Sequence, residues 1–124
     1  MKKDIVIPNP IGLYMAIVPE GDDAWDLYLI NQNEHSIRNI LVVTEAKSEF
    51  KQSSKLRYFL ESLTPISFIK FETIFGEVAQ LENSVSVTYY VGLDIFEKEF
   101  VFSIPNLTQE KELPIIGKVG FLLD

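Results

Sequence analysis

The sequence contains no cysteine and a single histidine, His35. The missing cysteines exclude disulfide frameworks, thiolate nucleophiles, iron–sulfur clusters and cysteine-ligated zinc. One imidazole in the chain also excludes a zinc site built from several histidines. Nothing follows about the redox compartment, because a cysteine-free protein is stable in either environment. We therefore assign no metal-binding or cofactor-binding residue.

The chain also lacks a long apolar run. Lys2 and Lys3 resemble the start of a signal peptide, but Asp4 interrupts them and the apolar run that follows ends at Pro8. A secretory core needs about 7–15 apolar residues, and a membrane span needs about 20. We therefore expect a soluble, cytoplasmic protein that does not bind membranes.

Basic residues are outnumbered by acidic ones. The 124 residues include 11 Lys and Arg and 18 Asp and Glu, which gives a net charge of −7. Such a surface repels a phosphate backbone, so we expect no nucleic-acid partner. A chain of this length is typical of one domain, and we expect residues 1–124 to form it.

Alanine, the best helix former, occurs only four times, whereas Ile, Val, Phe and Tyr are abundant. Short stretches of these residues recur between polar turns, at the spacing typical of a β-sandwich or barrel. We predict a single antiparallel, immunoglobulin-like or fibronectin-III-like β-sandwich of about seven strands. A small β-barrel is the alternative.

The clearest local signal is a hairpin over residues 85–103, where apolar and polar residues alternate on both sides of a turn at Gly92. A second alternating stripe begins at Trp25. From these patterns we expect seven core side chains: Trp25, Leu27, Leu29, Val85, Val87, Phe100 and Phe102.

The segment from Ser53 to Leu63 fits two structures. Leu56, Phe59, Leu60 and Leu63 have helical spacing, and a serine before them is a suitable helix cap. The same residues also alternate as in a strand. We predict a strand, because the neighbouring segments are strands.

Three groups of polar residues were considered as chemical sites. The acidic residues Glu20, Asp22, Asp23 and Asp26 lack the spacing and the closing glutamate of a calcium loop, so a solvated turn is expected. The stretch Lys47, Lys51, Lys55 and Arg57 offers an anion or an acidic partner a modest basic surface, but a solvated loop is the simpler interpretation.

The remaining candidates for catalysis are His35, Glu97 and Glu99. His35 lies in a turn without a neighbouring nucleophile. Glu97 and Glu99 are about 7 Å apart along a strand, which is within the range of glycosidase carboxylates. An acidic outer face has the same spacing. We therefore assign no catalytic residue and expect a protein that is not an enzyme.

Two features suggest contacts with other proteins. Tyr90 is expected to face outward beside the phenylalanine-rich strands, and tyrosine is enriched at interfaces. The late segment from Ile115 to Leu123 carries one lysine as its only charge, which is weak protection for an edge strand. It either folds back on its own sheet or pairs with a second chain, and we predict a homodimer through it.

Several segments together resemble a small family of uncharacterised bacterial proteins: MKKDIVIP, WDLYLIN, LVVT, SSKLRYFLESLTPISFIKFE, VSVTYYVG and FEKEFVF. Some members carry the label of a phenylalanyl-tRNA synthetase alpha subunit. This chain has only Arg38 and Arg57 as arginines, too few for the ATP site of a synthetase. The resemblance therefore implies no activity and no site residue.

The segment LTPIS at residues 63–67 resembles the corner that opens a middle strand in immunoglobulin-like and fibronectin-III-like domains. We expect a non-catalytic interaction or structural module. The alternatives are a carrier that holds a small apolar ligand inside a β-barrel and an enzyme that uses Glu97, Glu99 or His35.

Overall fold

The structure, a computed structural model, describes residues 6–8, 10–53 and 55–124, with residues 6–8 described by their backbone alone. Strands dominate it, as the scarcity of alanine predicts. They are β1 (Val6–Pro8), β2 (Leu13–Pro19), β3 (Ala24–Asn31), β4 (Ile37–Lys47), β5 (Leu56–Leu63), β6 (Ser67–Phe75), β7 (Glu82–Val91), β8 (Asp94–Phe102), β9 (Lys111–Leu113) and β10 (Lys118–Leu123). One short helix, α1 (Gly76–Gln80), follows β6, and a 3₁₀ turn (Ile104–Asn106) follows β8.

The strands form two sheets. The first has the order β1-β8-β7-β4-β5 and the second the order β6-β3-β2-β10-β9. Neighbours are antiparallel, except that β1 runs parallel to β8. The sheets formed by the described residues stay open rather than closing into a barrel. The predicted β-sandwich is therefore confirmed, with ten strands instead of about seven. The strand β9 has only three residues, too few for an alternating pattern.

The space between the sheets is the main core. On β2, Leu13, Met15 and Ile17 point into it and are fully buried. Six of the seven predicted core residues are buried there as well, and Trp25 is half-buried against the same cluster. Trp25 is less covered because it is the second residue of β3, at the end of the strand.

The second sheet is apolar on its outer face too. Ala16 and Val18 on β2 and Tyr28 and Ile30 on β3 point away from the main core, yet all four are buried in a second cluster with Leu113. Burial on both faces explains why β2 and β3 are almost continuously hydrophobic instead of alternating.

The predicted hairpin forms as β7 and β8, joined by a two-residue turn between Val91 and Asp94. Gly92 occupies its first position with φ of 60°, a conformation that glycine adopts without steric cost. The ambiguous segment is a strand, β5, as predicted. The short apolar run before Pro10 contains the first strand, β1, at Val6–Pro8, while residues 1–5, Asn9 and Ser54 lie outside the described part.

The segment 115–123 forms a turn and then β10, which pairs with β2 on one side and with β9 on the other. Its edge is therefore used within the chain, and the homodimer through this segment remains a prediction. In the part of the chain that the structure describes, no helix is long and apolar enough to cross a membrane.

Candidate interaction surfaces

The residues weighed for catalysis lie on the surface and do not converge. His35 is exposed, and its carbonyl oxygen accepts a hydrogen bond from Asn31 Nδ2 at 3.0 Å. Glu97 and Glu99 are exposed on the outer face of β8, where Glu99 accepts a bond from the Ser84 hydroxyl at 3.0 Å. His35 lies instead in the turn that joins β3 to β4. None of these contacts orients a base toward a nucleophile.

The acidic residues of the turn after β2 do not come together as ligands. Asp22 and Asp23 are exposed, whereas Asp26 is buried and accepts a bond from the Thr73 hydroxyl at 2.6 Å. Lys70 Nζ lies 4.0 Å from the other Asp26 oxygen. Among the described residues no group of three or more candidate ligands is close enough to hold a metal ion.

Two polar residues have structural roles that the sequence patterns did not indicate. Fully buried Asn31 donates from its amide nitrogen to three carbonyl oxygens, those of His35, Leu63 and Thr64, at 3.0–3.1 Å. It thereby ties the end of β3 to the turn after β5. The polar residues around Asn31 give no signal for the contacts with Leu63 and Thr64, because these two partners are more than 30 residues away.

Lys98 is the second residue. It lies on the inward face of β8, and its ammonium donates to the Leu13 carbonyl at 2.9 Å and to Asp124 Oδ1 at 2.7 Å. The rings of Tyr14 and Phe100 lie 5.6 and 5.3 Å from it. These contacts compensate a nearly buried cation, so we interpret Lys98 as structural.

Half of the exposed large apolar side chains lie on elements at one side of the sandwich, where the two sheets end in β5 and β6. We call this the open side, and define it by six exposed residues on β5, β6, the turn between them and α1: Leu56, Phe59, Ile66, Phe68, Phe75 and Val78. The opposite side ends in the three-residue strands β1 and β9. Short edge strands limit pairing with other chains, and long apolar edges invite it.

The two long edges of the open side differ. β6 has an irregularity at Phe71, which is skipped in its pairing with β3, and Lys70 beside it is exposed. Bulges and lysines are common protection for an edge. β5 alternates regularly from Arg57 to Glu61, and Phe59 at its centre is 66% exposed. β5 is therefore the less protected edge.

Tyr58 connects the two edges. It points inward from β5, donates its hydroxyl hydrogen to Glu72 Oε1 at 3.2 Å, and packs edge-to-face on Phe71. Burial, followed by the charge and hydrogen bond of Glu72, raises the pKa of Tyr58 to about 12. These contacts of Tyr58 hold β5 against β6 of the second sheet.

The basic stretch does not form one patch. Lys51 pairs with Glu77 of α1, and Lys47 is exposed at the end of β4. Arg57 faces outward on β5, opposite Val43. Tyr90 is half-buried on the outer face of β7, opposite Arg38, while its neighbour Tyr89 is in the core.

An apolar groove lies on the outer face of the second sheet, beside the second cluster. Its volume is about 700 Å³. Tyr14, Ile30 and Leu122 form its floor, and Leu113 and Ile115 are among the residues of its wall. The volume is within the range of small-molecule sites. A second cavity of about 240 Å³ lies between the sheets near α1.

Comparison with known proteins identified no relative. No family model matches the chain, and neither the curated proteins nor the solved structures contain a significant match. The resemblance to a bacterial family therefore stays a prediction. The function has to be argued from the surfaces of the molecule.

Proposed function

We propose that this protein is a non-catalytic interaction module and that the open side is its binding surface. One observation supports the proposal above the others: large apolar side chains remain exposed beside two long strand edges with which no strand of the described residues pairs. Long strand edges that carry exposed apolar side chains invite pairing with another chain. Among the polar candidates for catalysis, His35 lies apart from Glu97 and Glu99, and none of the three has a partner among the described residues that would orient it toward a nucleophile.

We further propose that the sandwich is immunoglobulin-like. The order β8-β7-β4-β5 corresponds to the order G-F-C-C′ of the immunoglobulin framework, and β2, β3 and β6 occupy the places of A, B and E. Immunoglobulin-like domains serve many functions, so this likeness supports a scaffold for recognition without identifying a partner. We also propose a cytoplasmic location, which fractionation of the source cells would test.

The binding surface can be tested with two matched variants. The first changes Phe59, Phe68 and Phe75 of the open side to serine. The control changes Leu93, Val101 and Val119 to serine, which are exposed to a comparable degree but lie elsewhere. Each protein is immobilised, exposed to a lysate of the source cells, and the retained proteins are quantified.

We expect the original protein to retain a partner from the lysate, either another protein or a second copy of this chain that is not immobilised. The first variant should lose this partner and the control should keep it. Equal retention by the two variants would refute the open side as the binding surface. Circular dichroism on both variants ensures that neither change acts by unfolding the domain.

A second candidate function is binding of a small apolar ligand. The sequence suggested a barrel interior for it, but the sheets formed by the described residues stay open and the main core occupies most of the space between them. The groove of about 700 Å³ is therefore the better location. Titration with a fluorescent apolar probe tests it. Binding that is abolished by Ile115→Glu and unaffected by Val119→Glu would support a ligand in the groove.

A further inference from the structure

We propose that the partner of the open side is a second copy of this chain, which pairs antiparallel with β5 about a two-fold axis at Phe59. The inference rests on the proposed function, because it names the occupant of that surface. β5 pairs with β4 on one side only; on its other side, no strand of the described chain follows. Its unpaired N–H and C=O groups are thus available to another strand.

The regular part of β5 is symmetric about Phe59. Arg57, Phe59 and Glu61 are exposed on the outer face, and Tyr58 and Leu60 between them are half-buried. Successive side chains alternate between the faces of a strand. A two-fold axis at Phe59 therefore keeps every outward residue opposite an outward residue of the second copy.

Symmetry restricts where the axis can lie. Alternate residues of a strand turn their N–H and C=O groups to the same side. An axis between two residues would oppose a residue whose groups face the edge with one whose groups face away. The axis must therefore pass through a residue, and only Tyr58, Phe59 and Leu60 keep most of the regular stretch paired.

Charge selects among these three positions. An axis at Phe59 places Arg57 opposite Glu61 of the second copy, and the symmetry repeats this pair on the other side. An axis at Leu60 places Phe59 opposite Glu61. An axis at Tyr58 places Arg57 opposite Phe59 and Glu61 opposite Lys55, but Lys55 lies before β5 begins at Leu56, so this pair falls outside the strand. Opposite charges across a strand pair are stabilising and like charges are not, so the first position is favoured.

Arg57 and Glu61 have no competing ion pair in the part of the chain that the structure describes. They cannot pair with each other, because four residues along a strand separate them by about 13 Å. In the dimer each would gain a partner of opposite sign.

The centre of the interface is apolar. Phe59 lies opposite Leu41 on β4, and both are exposed. With the axis at Phe59, this pair meets its symmetric copy, and the four side chains form one continuous strip across four strands. Aromatic pairs opposite each other on neighbouring strands add to the stability of a sheet. At a net charge of −7 per chain, association requires such a specific contact.

Charge exchange tests the inference, with sedimentation velocity of the full chain from low to high micromolar concentration. Arg57→Glu places two carboxylates opposite each other at both ends of the pairing, and Glu61→Arg does the same with two cations. We expect each variant to weaken dimerisation by about tenfold or more, which is ~1.4 kcal/mol. The double variant R57E/E61R restores both attractive pairs and should dimerise like the original chain.

Mixing the two single variants gives the sharpest result. Each forms poor dimers with itself, but in the mixed dimer every carboxylate lies opposite a guanidinium. We expect native mass spectrometry of the mixture, with one variant isotope-labelled, to show mainly mixed dimers. A statistical mixture would overturn the proposed register.

Val119→Glu is the control for the alternative interface at β10, since Val119 is half-exposed there. A dimer that this change abolishes and R57E leaves intact would overturn the inference in favour of β10. A chain that is monomeric at high micromolar concentration would overturn it as well. The proposed function of the open side would then be decided by the retention experiment alone, since that experiment does not require the partner to be a second copy.

Discussion

Two surfaces outside the main core are rich in apolar side chains, and they differ in how far these side chains are buried. On the outer face of the second sheet, Leu113 packs in one cluster with Ala16, Val18, Tyr28 and Ile30, and all five are buried. On the open side, Phe59 and its neighbours remain exposed. The first surface stabilises the monomer at once, whereas the second contributes only when something else covers it. Stability and association should therefore separate when the two are mutated.

The largest effect is expected in the main core, which sets the scale for both surfaces. Phe100→Ala should reduce the free energy of unfolding by about 3–5 kcal/mol, because Phe100 is 2% exposed and a cavity remains. Urea unfolding measures it. The control is Val101→Ala on the same strand, 51% exposed, which should stay within ~0.5 kcal/mol. Similar losses for the two would place the inward register of β8 at the wrong residues.

The covered outer face comes next. Leu113→Ala removes most of a side chain that is 4% exposed and leaves Ile30 and its neighbours partly open to water. We expect a loss of about 2 kcal/mol, the low end for a buried leucine, since the second cluster is small. The same urea experiment with Glu112→Ala, which is exposed, serves as control. A loss as small as that of the control would mean that β9 does not cover this face.

A third change acts on the strand that holds this cover in place. A Cβ at Gly120 would lie 2.5 Å from the Ile17 carbonyl oxygen, which is too close for a real contact. Gly120→Ala should therefore push β10 from β2 and cost about 1–3 kcal/mol. Val119→Ala, at the neighbouring exposed position, is the comparison. Unchanged urea midpoints for G120A would indicate that β10 is free to shift.

The contrast between the surfaces shows what the sequence could reveal. Alternation in residues 85–103 predicts both the hairpin and its buried face, because each strand packs on one side only. The contact of β9 with the second cluster could not be predicted. The strand β9 has three residues, Lys111–Leu113, too few to show a hydrophobic period. The exposure of Phe59 could not be predicted either. Its alternation looks like that of a core strand, and only the order of the strands, which depends on distant pairings, leaves β5 at an edge.

The same limit explains the polar residues. Asn31 lies in a polar cluster that predicts a turn. Its side-chain amide donates to the carbonyl oxygen of Leu63, which is 32 positions away. Nothing local distinguishes it from the exposed Gln32. Local alternation therefore indicates which face of a strand is buried, but contacts made by a distant segment leave no local pattern.

Titration of a buried tyrosine gives a smaller effect. Burial raises the pKa of Tyr89 to about 12, whereas in the unfolded chain it is about 10. Between these values the unfolded chain loses the phenol proton and the folded protein retains it. Stability is therefore complete below pH 10 and falls as the pH rises toward 12, by at most ~1.4 kcal/mol per pH unit for this group. Tyr89→Phe should flatten the fall in urea midpoints measured from pH 9 to 11.5; an unaltered slope would contradict the origin in Tyr89.

The smallest effect on the monomer is expected at the centre of the open side. Phe59 is 66% exposed, so its ring is largely in water in both the folded and the unfolded chain, and truncation forfeits little burial. Phe59→Ala should change the free energy of unfolding by less than ~0.5 kcal/mol. The urea measurement belongs at low micromolar concentration, because association would add stability that grows with concentration. At high concentration the original chain should gain stability and F59A should not. A loss of ~2 kcal/mol at low concentration would show instead that Phe59 packs within the monomer and that the open side is covered by its own chain.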